Sequence, residues 1–191
     1  MTTAEAQRPD LARELIARAA QSAAHRAKRV RNQLDAVHVG QGRHAEHANT
    51  KILGRILAEH DWPGHRLVGP DAARAAWSIA LHSDDGLAFQ RAAITRSGRA
   101  VEAGDAPVKH WVHLHDRVLV TSGCDQEYGT QFLLRVDGIE LCPLRDPASV
   151  DARRITVGLS PIAAALEAVR RRYTPGRPNG EAPTVVLAEA A

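Results

Sequence analysis

Apolar residues keep a helical spacing from residue 10 to about 122, and then switch once to period two. That single switch confines the chain to a mostly helical domain with one β-hairpin, the mainly α (α+β) class. The strands read as Gln131 to Val136 and Ile139 to Leu144. They flank Asp137-Gly138, a dipeptide strongly preferred in two-residue hairpin turns. Pairing across that turn sets Val136 against Ile139, Leu134 against Leu141, Arg135 against Glu140 and Leu133 against Cys142. The opposite charges of Arg135 and Glu140 support the register.

Within the helical part, residues 10 to 36 read as one helix capped by Asp10. Leu11, Leu15, Ala19, Ala23, Val30 and Leu34 form its thin apolar stripe, suited to one partner helix or to self-association of two chains. Residues 37 to 48 read as a loop, after which Asn49 or Thr50 caps a helix carrying Ile52, Leu53, Ile56 and Leu57. Trp62-Pro63-Gly64 ends it. Further helices open at Asp71, before Phe89 and at Pro107, and stop near His82-Ser83-Asp84-Asp85-Gly86, Gly104 and Gly123. Asp146-Pro147 and Ser160-Pro161 start two short C-terminal helices. From Thr174 onward Pro, Gly, Asn and Glu dominate, so a disordered tail is expected. Three segments follow: a basic N-terminal helix and loop at 1–48, a main domain at 49–173 and a tail at 174–191.

Charge narrows the partners. The net charge is +3, with basic clusters at residues 25–31 and 170–172. Aromatics make up 4% of the chain and none lies in either cluster, so no base-stacking platform accompanies the charge. A solvated helix face is favoured over a nucleic-acid partner. No apolar run nears the ~20 residues of a membrane span, and no membrane partner is expected. The first ten residues lack the basic-then-apolar order of a secretory leader, so a cytoplasmic location is expected. Cys124 and Cys142 are too few for a disulfide framework and are expected as thiols.

Three clusters carry candidate chemistry. Gln126, Tyr128, Thr130 and Gln131 crowd neutral donors and acceptors around Gly129, where glycine at a strand start marks a bulge or a close approach. They read either as a ligand site or as a satisfied turn tying the hairpin to the helices. His82 ends a helix with Asp84 two residues on. That pair reads as an acid–base couple, as two ligands to a metal, or as a histidine bonding the terminal carbonyls. The third cluster is His110, His113 and His115, followed by Asp116 and Arg117. At helical spacing His110 and His113 share a face, while His115 joins Trp111 and Val112 on the inward face. Three ligands do not converge, which disfavours zinc. No Gly-x-Ser-x-Gly, His-Glu-x-x-His or phosphate-loop pattern is present, Cys124 lacks an activating base, and no cofactor is predicted.

Read in order, these segments resemble an uncharacterised bacterial domain-of-unknown-function family. The residues that carry the resemblance are Trp62-Pro63-Gly64, Val68-Gly69, Trp77, His82-Ser83-Asp84, Phe89-Gln90, Asp116-Arg117-Val118, Gln126, Tyr128-Gly129-Thr130-Gln131, Asp146-Pro147, Arg153-Arg154 and Val157-Gly158-Leu159-Ser160-Pro161. The chain departs from the family's pattern at Leu81, where a Gln is usual, at Gly86-Leu87, and at His113 and His115. The resemblance implies no known reaction. It implies that His82, Asp84, Gln90, Asp116, Arg117, Tyr128 and Gln131 recur as a set.

Two function classes follow. The favoured one is an enzyme acting on a small polar or peptidic substrate, in hydrolysis or specialised metabolism. His82 is its acid–base group, oriented by Asp84, and Tyr128 and Gln131 bind or polarise a carbonyl. Arg117 holds a carboxylate or phosphate, with Gln90, His115, Asp116 and Thr130 also expected to bind substrate. The alternative is a non-catalytic ligand- or protein-binding module in which the same residues form a structural network.

Overall fold

A computed structural model of the chain describes residues 6–31, 33–135, 138–173 and 184–187, the last four as backbone. Contacts divide the chain into two compact units, Met1–Pro107 and Val108–Ala191.

The first unit is helical: α1 (Pro9–Val30), α2 (Ala36–His60), α3 (His65–Val68), α4 (Pro70–Leu81) and α5 (Leu87–Glu102). Proline in the first turn of α1, Asp10 beside it and Lys28 and Arg29 at the far end all agree with the helix dipole. The stretch 37–48, expected as a loop, is the first half of α2. Asp35 caps that helix by accepting the N–H of His38 at 2.8 Å. Gly42 is buried where α2 meets α1. A Cβ there would lie 1.9 Å from the His25 ring, so this glycine marks a close approach of two helices.

Asn49, expected as a cap, is instead buried mid-helix. It donates to Ser22 Oγ at 3.0 Å and accepts from Arg18 at 3.1 Å. Arg26 and Glu46 add an ion pair at 3.3 Å. The N-terminal helix is therefore knitted into the unit. Leu15, Leu53, Ala76, Ala80 and Ala93 are wholly buried, and the alanines of α4 let α1, α2 and α5 pack closely on it.

The second unit holds α6 (Val108–Thr121), β1 (Gln131–Arg135), β2 (Gly138–Leu141), a 3-10 turn (Pro147–Ser149), α7 (Val150–Thr156), α8 (Ile162–Arg172) and β3 (Thr184–Leu187). The chain is mainly α with an antiparallel hairpin, as the periodicity predicts. The register differs from the expectation by two residues. Arg135 faces Gly138, Leu134 faces Ile139, Leu133 faces Glu140 and Phe132 faces Leu141. Gly138 sits opposite Arg135 at φ 145°, a conformation that favours glycine. Val136 and Asp137, between the strands, lie outside the described residues. A shift of two keeps every side chain on its face, and Arg135 still pairs with Glu140, now diagonally.

The third strand was not expected. β3 lies in the tail read as disordered, pairs antiparallel with β1, and completes the order β2-β1-β3. The remaining tail residues lie outside those described. Among the described residues, no helix is long and apolar enough to cross a membrane.

Candidate functional site

The site in the second unit begins with the rotation of α6. Val112, His113, Leu114, Asp116 and Arg117 are buried, while Trp111 and His115, expected to face inward, are half-buried. Hydrophobic spacing misjudged the phase because the buried face includes a carboxylate with a full set of donors. Asp116 Oδ1 accepts the N–H groups of Glu127 at 2.8 Å and Tyr128 at 3.1 Å. Its Oδ2 accepts the N–H and the hydroxyl of Thr130 at 3.0 and 2.9 Å. Burial pushes the Asp116 pKa up, and these donors pull it back.

Gln126 completes the N–H side of the loop. Its Oε1 accepts the Gln131 N–H at 2.8 Å, and its Nε2 donates to the carbonyls of Gln131 and Cys142 at 3.0 and 2.8 Å. Gln131 Nε2 donates to Thr130 Oγ1 at 2.9 Å and to the His113 carbonyl at 3.3 Å, and its Oε1 accepts from Arg117 at 3.4 Å. The carbonyl side is held by two arginines. Arg153 donates to the Glu127 carbonyl at 2.9 Å, and the buried Arg154 donates to those of Tyr128, Gly129 and Ser160. Side chains thus meet the N–H groups of Glu127, Tyr128, Thr130 and Gln131 and the carbonyls of Glu127, Tyr128, Gly129 and Gln131.

What this clamp displays is a small aromatic and acid–base cluster. His115 Nε2 lies 3.1 Å from Glu127 Oε2. The His115 ring stacks on Trp111 with centroids 4.9 Å apart and meets the Tyr128 ring edge-on at 6.1 Å. The His115 and Glu127 side chains keep 24% and 31% exposure, so solvent and ligands reach them. Burial and the carboxylates of Glu127 and Asp116 push the Tyr128 pKa up, so its phenol stays a proton donor. The structure thus brings together His115 and Tyr128 at a surface, and Asp116, Arg117, Thr130 and Gln131 in the network beneath.

The other expected residues belong to the first unit. Gln90 is fully buried and donates to the carbonyls of Ala80 and Leu81 at 3.2 and 3.3 Å, closing the end of α4. His82 is half-buried and lines a polar recess with Ser22, Arg26, Glu46, Asn49 and Ser78 that has room for little more than one water. Asp84 is exposed. Among the described residues, no three His, Cys, Asp or Glu side chains gather to hold a metal ion.

A family model matches residues 9–174 and is described as a family of unknown function. The chain belongs to DUF6624. Among the described residues, helices α1 to α8, β1, β2 and the clamped loop fall within the DUF6624 match, whereas β3 lies beyond it. No curated protein and no solved structure matches the chain.

Sequence reasoning missed Glu127, Trp111 and the clamping roles of Arg153 and Arg154. The adjacent arginines were visible as a pair, but only the fold reveals that they face the carbonyls of a loop about 25 residues earlier.

Proposed function

We propose that this DUF6624 chain is an enzyme that hydrolyses a small polar or peptidic substrate by acid–base chemistry centred on His115 rather than His82. The supporting observation is the His115–Glu127 contact on a loop whose backbone is fixed on both sides. Glu127 orients the imidazole through Nε2, leaving Nδ1 to take a proton from water. Tyr128 donates to the substrate oxygen where negative charge develops. Trp111 supplies an apolar wall behind the ring. His82 is a weaker centre, because its recess admits little beyond a water and Asp84 is exposed.

The test is a panel of chromogenic esters and peptide anilides, run against the full chain, His115→Gln and Glu127→Gln. His115→Gln lowers kcat/KM by about 100-fold or more with an unchanged far-UV spectrum. Glu127→Gln gives a smaller loss. Full turnover in His115→Gln sinks the proposal.

A second reading, a binding module with no reacting group, is favoured by the saturation of Asp116, Thr130 and Gln131. On that reading Trp111, His115 and Tyr128 hold a ligand by stacking and hydrogen bonds. Ligand-induced shifts of the Trp111 and His115 resonances, with no turnover by the unmodified chain, would select it.

A further inference from the structure

Within the first unit, α2 carries an open groove of about 660 Å³. Its floor is apolar, with the half-buried Ile52 between the exposed Ala48 and Ala58. Gly54 also lines it. Glycine inside a helix weakens that helix relative to alanine, and the usual reasons for keeping one are missing at this position. Gly54 is not among the glycines with positive φ. An added Cβ would meet only the Phe89 ring, at 3.8 Å, which is ordinary contact. Neither the backbone nor the packing calls for a glycine here, and what its missing side chain leaves is open floor.

The rim of the groove is cationic. Lys51 and Arg55 are both exposed and stand one helical turn apart, a spacing at which like charges repel. Among the described residues, neither side chain has an acidic partner. Arg18 joins the lining from α1, its guanidinium held by Glu14 at 2.8 Å and by Asn49 at 3.1 Å. Size then separates the possible occupants. The volume falls within the roughly 300–1,000 Å³ of small-molecule sites. Seven described residues line the groove, far fewer than the roughly 20–30 that a protein partner covers on each side.

We propose that this groove binds a small amphiphilic anion, an alkyl chain ending in a carboxylate. The chain lies on Ile52, Gly54 and the two alanines, where leaving water is favourable. The carboxylate sits between Lys51 and Arg55 and relieves their repulsion through charge-assisted hydrogen bonds. Apolar contact supplies the affinity, and the two cations choose the head group.

The test is an amide-resonance titration of the full chain with dodecanoate below its micelle concentration, with dodecanol and dodecyltrimethylammonium as controls. Dodecanoate shifts the amides of residues 48–58 saturably and binds at least tenfold more tightly than the ammonium amphiphile. The double variant Lys51→Gln, Arg55→Gln weakens dodecanoate at least tenfold and leaves dodecanol unchanged. A second double variant, Ala48→Glu with Ala58→Glu, places charge on the floor at two exposed positions. It loses both ligands and keeps the far-UV spectrum of the parent. Absence of dodecanoate binding, or shifts confined to other residues, overturns the proposal. Equal affinity for the ammonium amphiphile, or no change in the glutamine variant, overturns the assignment of an anion. If an acidic amphipathic peptide shifts the amides of 48–58 while dodecanoate does not, the groove belongs to a partner protein and the small ligand is excluded.

Discussion

One carboxylate oxygen of Asp116 accepts both the backbone N–H and the hydroxyl of Thr130, at 3.0 and 2.9 Å. The second oxygen takes two further N–H groups, so the N–H groups of Glu127, Tyr128 and Thr130 converge on one side chain fully buried in α6. Asp116→Asn keeps the shape but turns an NH2 group toward those donors. A buried donor facing donors costs about 2–4 kcal/mol. Urea denaturation is expected to show a loss of that size, with faster exchange of the Glu127, Tyr128 and Thr130 amides.

His113 makes the fold sensitive to acid. Burial first, then the charges of His110, Arg154 and Lys109, press its pKa down from 6.5 to about 3. Its folded pKa is below its unfolded value, so the unfolded chain takes up the proton first, and stability falls as pH drops from 6.5 toward 3. Between pH 7 and pH 5 the loss is about 2 kcal/mol. Asp116, with its raised pKa, works in the opposite sense: acidification through its folded pKa favours the fold. Comparing the parent with His113→Gln at both pH values isolates the histidine. The variant is expected to lose less stability between pH 7 and pH 5, and an equal loss in the two proteins would refute the assignment.

Gly129 is constrained twice. It sits at φ 68°, and a Cβ there would lie 2.6 Å from Ile162 Cδ1. Gly123 has a similar φ of 73° with nothing within 4 Å of a built Cβ. Gly123→Ala is expected to cost about 1 kcal/mol, the backbone penalty alone. Gly129→Ala is expected to cost more, about 2–3 kcal/mol, because Ile162 must also move. Thermal denaturation of the two variants checks the difference.

Gln126→Glu sets a carboxylate against the carbonyls of Gln131 and Cys142, which now receive its amide N–H groups. A loss of about 2–4 kcal/mol is expected at pH 7. Acidification partly restores it, because a protonated carboxyl again donates to one carbonyl. A pH series of unfolding midpoints for the variant and the parent reads this out.

The helices after residue 50 and the hairpin were legible because side-chain spacing is a local property that survives into the fold. The first half of α2 was not, because Gly40 and Gly42 count as breakers in isolation while the packing of Gly42 beneath His25 depends on a helix earlier in the chain. The phase of α6 was misjudged for a related reason. Asp116 and Arg117 look like surface residues until their partners at Thr130 and Gln131 are known. Tyr128 and His115 were both expected at a site, and the fold brings their rings together. Glu127 was passed over because it sits between two residues already read as the motif. β3 was hidden by the proline and glycine that precede it.

Gln126 lends its carboxamide to the loop as though it were one more peptide group, accepting from one residue and donating to two carbonyls. With that ring closed by side chains at 116, 126 and 154, the contour of the loop no longer depends on what projects from positions 127 and 128. Those two positions are exchangeable fittings on a fixed mount. An engineer can graft a new pair of side chains there without redesigning what lies beneath.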